Sequence, residues 1–231
     1  MPGILIKNTD SDILDQFNKA MIRKFNTNSA RIMKQIEDDL KSLMSASIEN
    51  SDVWQSLKVG GELSAELGLP RNEVEGRLDR IKNTWINSIR VMPPKSRYFG
   101  RVFAISIIFN GVKSDYSDVL ALTEASIDAE PSKFGISKQK GQHTQLKWLD
   151  YLLNFGDRAI IPDYKVQFKN LPATRSGKAQ MIISPGNSWK IPSQYAGTSD
   201  NNFLTRIIRE VLDGGLLDFL LFQTLKTAFK D

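Results

Sequence analysis

The sequence predicts an α+β fold: a long N-terminal helix, a central antiparallel β-sheet with a short internal helix, and apolar C-terminal helices. Three observations lead there. Apolar residues recur at helical spacing from Leu14 to Leu43. As far as Asn110-Gly111 the alternating run V-F-A-I-S-I-I-F-N-G follows the helices, and R-A-I-I-P-D-Y-K-V-Q-F-K is a further alternating run. Helices first and strands second argue against repeating βαβ units. The final stretch, L-L-D-F-L-L-F-Q-T-L-K-T-A-F, is apolar over most of its surface.

The elements follow in chain order. Ile4-Leu5-Ile6 form a short apolar arm, and Asn8-Thr9-Asp10-Ser11-Asp12 supply N-caps and first-turn carboxylates. Leu14, Phe17, Met21, Phe25, Ile32, Ile36, Leu40 and Leu43 then mark one face of a helix over residues 12–46. At about 1.5 Å per residue it is about 50 Å long. Asn28-Ser29 leave a polar gap in that stripe, so two helices hinged near Asn26–Asn28 are the alternative. Trp54, Leu57, Leu63 and Leu67 anchor the next segment. Gly60-Gly61 break it, and Gly68 before Pro70 closes a short helix. Pro70 opens a helix with Val74, Leu78, Ile81 and Trp85 on its apolar face, and Ile86–Met92 read as a strand ended by Pro93-Pro94. After the basic linker K-S-R-Y-F-G-R, a strand directs Phe103, Ile105, Ile107 and Phe109 one way before the Asn110-Gly111 turn.

Residues 112–128 fit a strand or a short helix, and a lysine-rich loop runs from Pro131 to Gln145. Trp148, Leu149, Leu152 and Leu153 form a helical stripe closed by Gly156. In the following strand Tyr164, Val166 and Phe168 share one face, with Lys165, Gln167 and Lys169 on the other. A turn at Gly177, a second strand and the polar loop 191–203 lead to a helix capped by Ser199 or Asp200. Its face is Phe203, Leu204, Ile207, Ile208, Val211 and Leu212, and Asp213-Gly214-Gly215 end it. The chain reads as a single domain over 1–231, with a helical arm (1–50), an α+β core (51–198) and C-terminal helices (199–231).

Composition removes several function classes. Without cysteine there is no disulfide framework, thiolate nucleophile or cysteine metal site, and one histidine excludes a multi-histidine site. No apolar run is long enough for a membrane helix, and M-P-G-I-L-I-K lacks a signal-peptide pattern, so a soluble protein of a reducing compartment is expected. The net charge of +5 is mildly basic and suits an acidic partner, nucleic acid included.

Candidate chemistries fare poorly. R-S-G-K-A has the Gly-Lys of a phosphate-binding loop, but Pro172 stands where the first glycine belongs and Ala179 replaces Ser/Thr. Ser137-x-x-Lys140 with Ser199-Asp200-Asn201 matches serine β-lactamase elements, yet Ser137 lies in a polar loop and the third element degrades to Lys226-Thr227-Ala228. His143 lacks a companion nucleophile or base, and the pairs Asp38/Asp39 and Glu62/Glu66 read as solvated helix faces. No catalytic, cofactor or metal residue is expected.

Three stretches resemble structural proteins of tailed bacteriophages, of the tail-completion or head–tail joining family. They are Trp148-Leu149 through Gly156-Asp157, Ser176-Gly177-Lys178-Ala179-Gln180-Met181, and Trp189-Lys190-Ile191-Pro192 with Tyr195-Ala196-Gly197-Thr198 and Asn201-Asn202-Phe203. Ser56-Leu57-Lys58-Val59-Gly60-Gly61-Glu62-Leu63 fills the place of a further motif, and the likeness spans residues 10–212. The chain departs from the pattern where Gly-Glu-Leu-Ser replaces Thr-Gly-x-Leu-Arg and in the insertion-like segment 112–147.

The resemblance implies a non-enzymatic neck subunit in a closed hexameric or dodecameric ring between portal and tail. DNA passes through such a ring, and the virion is assembled in the host cytoplasm. The expected partners are further copies of the chain, other neck, portal and tail proteins, and the packaged DNA, with no membrane. Closed rings need two different contact faces. The candidates for docking are Trp189, Gln194, Tyr195, Gly197, Ser199, Asn201, Phe203, Leu217, Leu220 and Leu221. Arg97, Arg101, Lys133, Lys138 and Lys140 are the candidate DNA-facing cations. The alternative is a basic nucleic-acid-binding accessory protein, with Arg90, Lys95, Arg97 and Arg101 clustered around Tyr98 and Phe99.

Overall fold

A computed structural model describes residues 10–92, 106–109, 116–129, 144–169 and 174–230. The mixed α+β class is as expected. The first segment is one uninterrupted helix, α1 (Asp10–Asn50), longer at both ends than the expected 12–46. Asn28 and Ser29 do not break it, because neither glycine nor proline stands there to remove a helical bond or a preferred φ.

By its contacts the chain forms two compact units. One takes the described residues up to Leu40, 90–92, 106–108 and those from Leu217 onward. In it Ile32, Met33, Ile36, Leu40, Val91 and Leu217 are buried. Strands β1 (Ile89–Met92) and β2 (Ser106–Phe109) pair, and the Glu37 carboxylate accepts from the Val91 N–H at 3.1 Å and from Arg90 at 3.4 Å. The expected strand start at Ile86 was too early. Ile86 and Asn87 complete α4 (Val74–Asn87), since Ile86 is buried beside Trp85 at helical spacing. The expected inward run at Phe103 and Ile105 lies outside the described residues.

The second unit spans 41–89 and the described residues from Phe109 to Leu216. Its helices are α2 (Asp52–Leu57), α3 (Glu62–Glu66), α4, α5 (Ser117–Leu120), α6 (Trp148–Leu153) and α7 (Phe203–Asp213). Ile48, Trp54, Ile81, Lys82, Trp85, Val119, Leu149, Phe203 and Leu204 line a small cavity in it. The ambiguous segment resolves into α5, a short 3-10 turn (Thr123–Ala125) and β3 (Ile127–Ala129). In place of one central sheet, the described strands form two-stranded pairs: β3 with β4 (Thr144–Leu146), and β5 (Ile161–Phe168) with β6 (Ala179–Trp189), both antiparallel.

Helix α3 ends as expected at Gly68. The Gly68 N–H bonds to the Ala65 carbonyl and the Leu69 N–H reaches back to Ser64 at 3.0 Å, with Gly68 at φ +68°. This double closure needs a left-handed residue, which glycine supplies without a Cβ clash. The final helix, α8 (Leu216–Lys230), begins after the break at Gly214-Gly215. No described helix is long and apolar enough to cross a membrane.

Candidate docking site

The loop between β6 and α7 is fixed from both ends and from beneath. Ile191 is fully buried at its entry, and the Pro192 carbonyl accepts from the Tyr195 and Ala196 N–H groups at 2.9 and 3.1 Å, which folds Ser193–Tyr195 into a turn. Gly197 comes next, pressed against α6. A Cβ added there would lie 2.4 Å from the Leu152 carbonyl oxygen and 2.4 Å from the Asn202 Cβ, so only glycine fits. Its own carbonyl accepts from the Gly156 N–H at 2.9 Å, which joins the loop to the end of α6. Thr198 and Asn201 exchange both backbone hydrogen bonds, each 3.1 Å, and close a second turn around Ser199-Asp200.

Asn202 holds these pieces together and is completely buried. Its side-chain oxygen accepts from the Thr205 N–H at 3.0 Å, while the Thr205 hydroxyl accepts from the Asn202 N–H at 2.8 Å, a reciprocal cap on α7. Its side-chain nitrogen faces the Tyr116 hydroxyl at 2.7 Å, the Thr198 carbonyl at 3.0 Å and the Leu153 carbonyl at 3.1 Å. An amide has two hydrogens for these three acceptors, so it is saturated as a donor. Tyr116 adopts φ 53° and donates to the Ser199 carbonyl at 3.3 Å, and burial raises its pKa. The expected caps, Ser199 and Asp200, instead belong to the turn, where the Asp200 carbonyl accepts from Arg209 at 2.9 Å.

The docking candidates therefore separate. Gln194, Ser199 and Asn201 stand exposed on this braced loop, and Tyr195 is half-buried. Trp189, Gly197 and Phe203 are buried and hold the loop from below; the Phe203 ring lies 6.4 Å from that of Trp54. On α8 the candidates Leu217, Leu220 and Leu221 point inward or are half-buried, and Thr224 on that side donates to Asp39 at 3.3 Å. The outward side carries Phe219 and Phe222, 62% and 61% exposed, with Leu216 exposed in the first turn. Helical spacing held the signal: 217, 220, 221 and 224 make one stripe, which leaves 219 and 222 opposite.

A half-buried carboxyl also escaped notice. Glu66 does not lie on a solvated face with Glu62; it packs against Trp189, whose indole N–H donates to it at 3.2 Å. Burial foremost, with Glu62 adding repulsion and the indole bond opposing, raises its pKa to about 7. The R-S-G-K-A stretch forms the hairpin turn. The buried Ser176 hydroxyl accepts from the Lys178 and Ala179 N–H groups, and the Lys178 ammonium donates to the Gly60 carbonyl at 2.8 Å. Elsewhere, Arg77 donates to the Ser126 carbonyl at 2.9 Å and to Glu73 at 2.9 Å, and Arg80 pairs with Glu124 at 3.3 Å. Among the described residues no His, Cys, Asp and Glu cluster could hold a metal ion. Arg97, Arg101, Lys133, Lys138, Lys140, Ser137 and His143 lie outside the described residues, as do Lys95, Tyr98 and Phe99. No family model, curated protein or solved structure matches this chain significantly.

Proposed function

We propose that this chain is a non-enzymatic structural subunit of the tailed-phage neck, a head–tail connector or tail-completion protein. Its copies close into a hexameric or dodecameric ring around the DNA channel, and it works in the virion beside portal, neck and tail proteins. The observation that supports it best is the outward pair Phe219 and Phe222 on α8. Burying a phenylalanine is worth about 1.5–3 kcal/mol. Two rings more than half exposed therefore leave about 2–4 kcal/mol to be gained against a neighbouring copy. A ring needs a second, different face, and the braced polar tip Gln194, Ser199 and Asn201 suits contact with another neck component.

Light scattering after size exclusion tests the reading. The wild-type chain should run at a hexamer or dodecamer of its 26.1 kDa mass, and Phe219→Ser with Phe222→Ser should fall to the monomer with its helical circular dichroism retained. In particles, replacing Gln194, Ser199 and Asn201 by alanine should leave melting unchanged and stop heads joining tails. A wild-type monomer that is also absent from assembled necks would refute the assignment.

A further inference from the structure

The β5–β6 stretch carries a net positive charge nearly equal to that of the whole chain. From Ile161 to Lys190 stand Lys165, Lys169, Arg175, Lys178 and Lys190 against the carboxylate of Asp163, so this stretch holds +4 of the chain's +5. Asp163 is already engaged, accepting the Gly186 N–H at 2.9 Å where the ladder bulges.

Register sorts the ribbon into two unlike faces, because residues directly opposite in an antiparallel pair share a face. Tyr164 opposes Ile183, Val166 opposes Met181 and Phe168 opposes Ala179, giving an apolar face on which Ile183 is 70% and Phe168 49% exposed. Lys165 opposes Ile182 and Gln167 opposes Gln180 on the other. One step on, Lys169 lies across from Lys178, whose carbonyl accepts the Lys169 N–H at 2.8 Å. Lys178 and Lys190 are tied to the Gly60 carbonyl and to Asp157. Lys165, Lys169 and the turn residue Arg175 are exposed, and no described carboxylate pairs with them.

We infer that the Lys165–Lys169 face of this ribbon binds the phosphate backbone of duplex nucleic acid without reading its sequence. Four strand residues separate the two lysines by about 13 Å. Phosphates two steps apart along one strand of B-DNA lie about 13 Å apart, because each step rises about 3.4 Å and also turns the backbone by about a tenth of a circle. Two phosphates of one strand therefore meet both ammonium groups at once, with the amide of Gln167 between them. An acidic protein is the weaker fit: protein hot spots are built from Trp, Tyr and Arg, and between Lys165 and Lys169 this face presents lysine and glutamine. The inference stands on the ribbon's charge and register, not on the neck assignment, so a chain that proves monomeric leaves it intact.

Fluorescence anisotropy of the full chain with a labelled 30-bp duplex, titrated at several KCl concentrations, tests it. Each phosphate contact steepens the plot of log affinity against log salt by about 0.9 and multiplies affinity at 0.1 M by about 8 relative to 1 M. Lys165→Gln with Lys169→Gln should flatten the plot by about 2 and weaken binding about 60-fold at 0.1 M. Lys34→Gln with Arg71→Gln removes the same charge from exposed positions off the ribbon and should bind like wild type. The inference is overturned if the ribbon variant titrates like wild type or the control weakens equally. It is also overturned if the wild-type chain ignores the duplex, whether or not it binds polyglutamate.

Discussion

Replacing Asn202 by alanine tests how the loop and α7 are held. The change deletes the acceptor that caps the Thr205 N–H, a loss of about 1 kcal/mol at a typical N-cap. It also removes both amide hydrogens from the Tyr116 hydroxyl and from the Leu153 and Thr198 carbonyls, in a place with no exposed surface. Two hydrogen bonds at about 1 kcal/mol each, with some cost for leaving buried acceptors unpaired, bring the total to about 3–4 kcal/mol. For a chain of this length that lowers the melting temperature by about 6–16 °C. Asn202→Ser keeps a capping oxygen and loses the other bonds, so it should recover about 1 kcal/mol of the alanine loss. Urea unfolding followed by tryptophan fluorescence measures both. If Asn202→Ala costs less than about 1 kcal/mol, or serine recovers nothing, Asn202 is not the centre of the network.

Other outcomes follow from the same geometry. The Glu66 carboxyl titrates near 7 when folded and near 4.5 when unfolded. Its contribution is therefore complete below pH 4.5 and is lost as pH rises toward and through 7. The separation corresponds to about 3 kcal/mol in a dry site, and partial access to water cuts this to about 1–2 kcal/mol. Glu66→Gln should flatten urea midpoints measured from pH 4.5 to 8. Gly197→Ala should unfold the loop or cost more than about 3 kcal/mol, because its methyl group meets the Leu152 carbonyl at 2.4 Å. Gly68→Ala meets nothing and is strained by φ alone, so the same urea titration should show a loss of only about 1 kcal/mol.

Much of the fold was legible because local rules and tertiary packing agree. The stripe Ile32, Ile36, Leu40 of α1 and the stripe Val74, Leu78, Ile81, Trp85 of α4 are the buried faces themselves. Gly68 ends α3 with φ of +68°, as a glycine after an apolar run suggests, whereas α6 closes earlier, at Asn154, and the Gly156 N–H turns to the Gly197 carbonyl. What was missed depends on partners far along the chain. Asn202 outcompetes Ser199 and Asp200 as the cap because Tyr116, more than eighty positions earlier, meets its amide. Glu66 leaves its solvated place because Trp189 packs on it, and no helical spacing records a neighbour in a distant strand. The basic candidates were sought in lysine-rich loops. The ribbon's excess is spread over alternate strand positions, and becomes a surface only when pairing brings Lys165 and Lys169 onto one face.

The two proposed contacts draw on different physics, and salt separates them. The phenylalanines of α8 offer apolar burial, which salt does not screen and which strongly hydrated anions reinforce. The ribbon lysines offer counterion release, which weakens as a power of the salt concentration. A ring held by Phe219 and Phe222 should therefore keep its mass in light scattering from 0.1 to 1 M KCl while duplex DNA dissociates. The Lys165→Gln, Lys169→Gln chain should assemble normally at every salt concentration. The Phe219→Ser, Phe222→Ser chain should bind DNA as a monomer, more weakly, because a ring brings many ribbons to one duplex and a monomer brings one. An assembly that dissolves with added salt at the rate at which DNA leaves would place the subunit contact on the charged ribbon, and α8 would then be no interface at all.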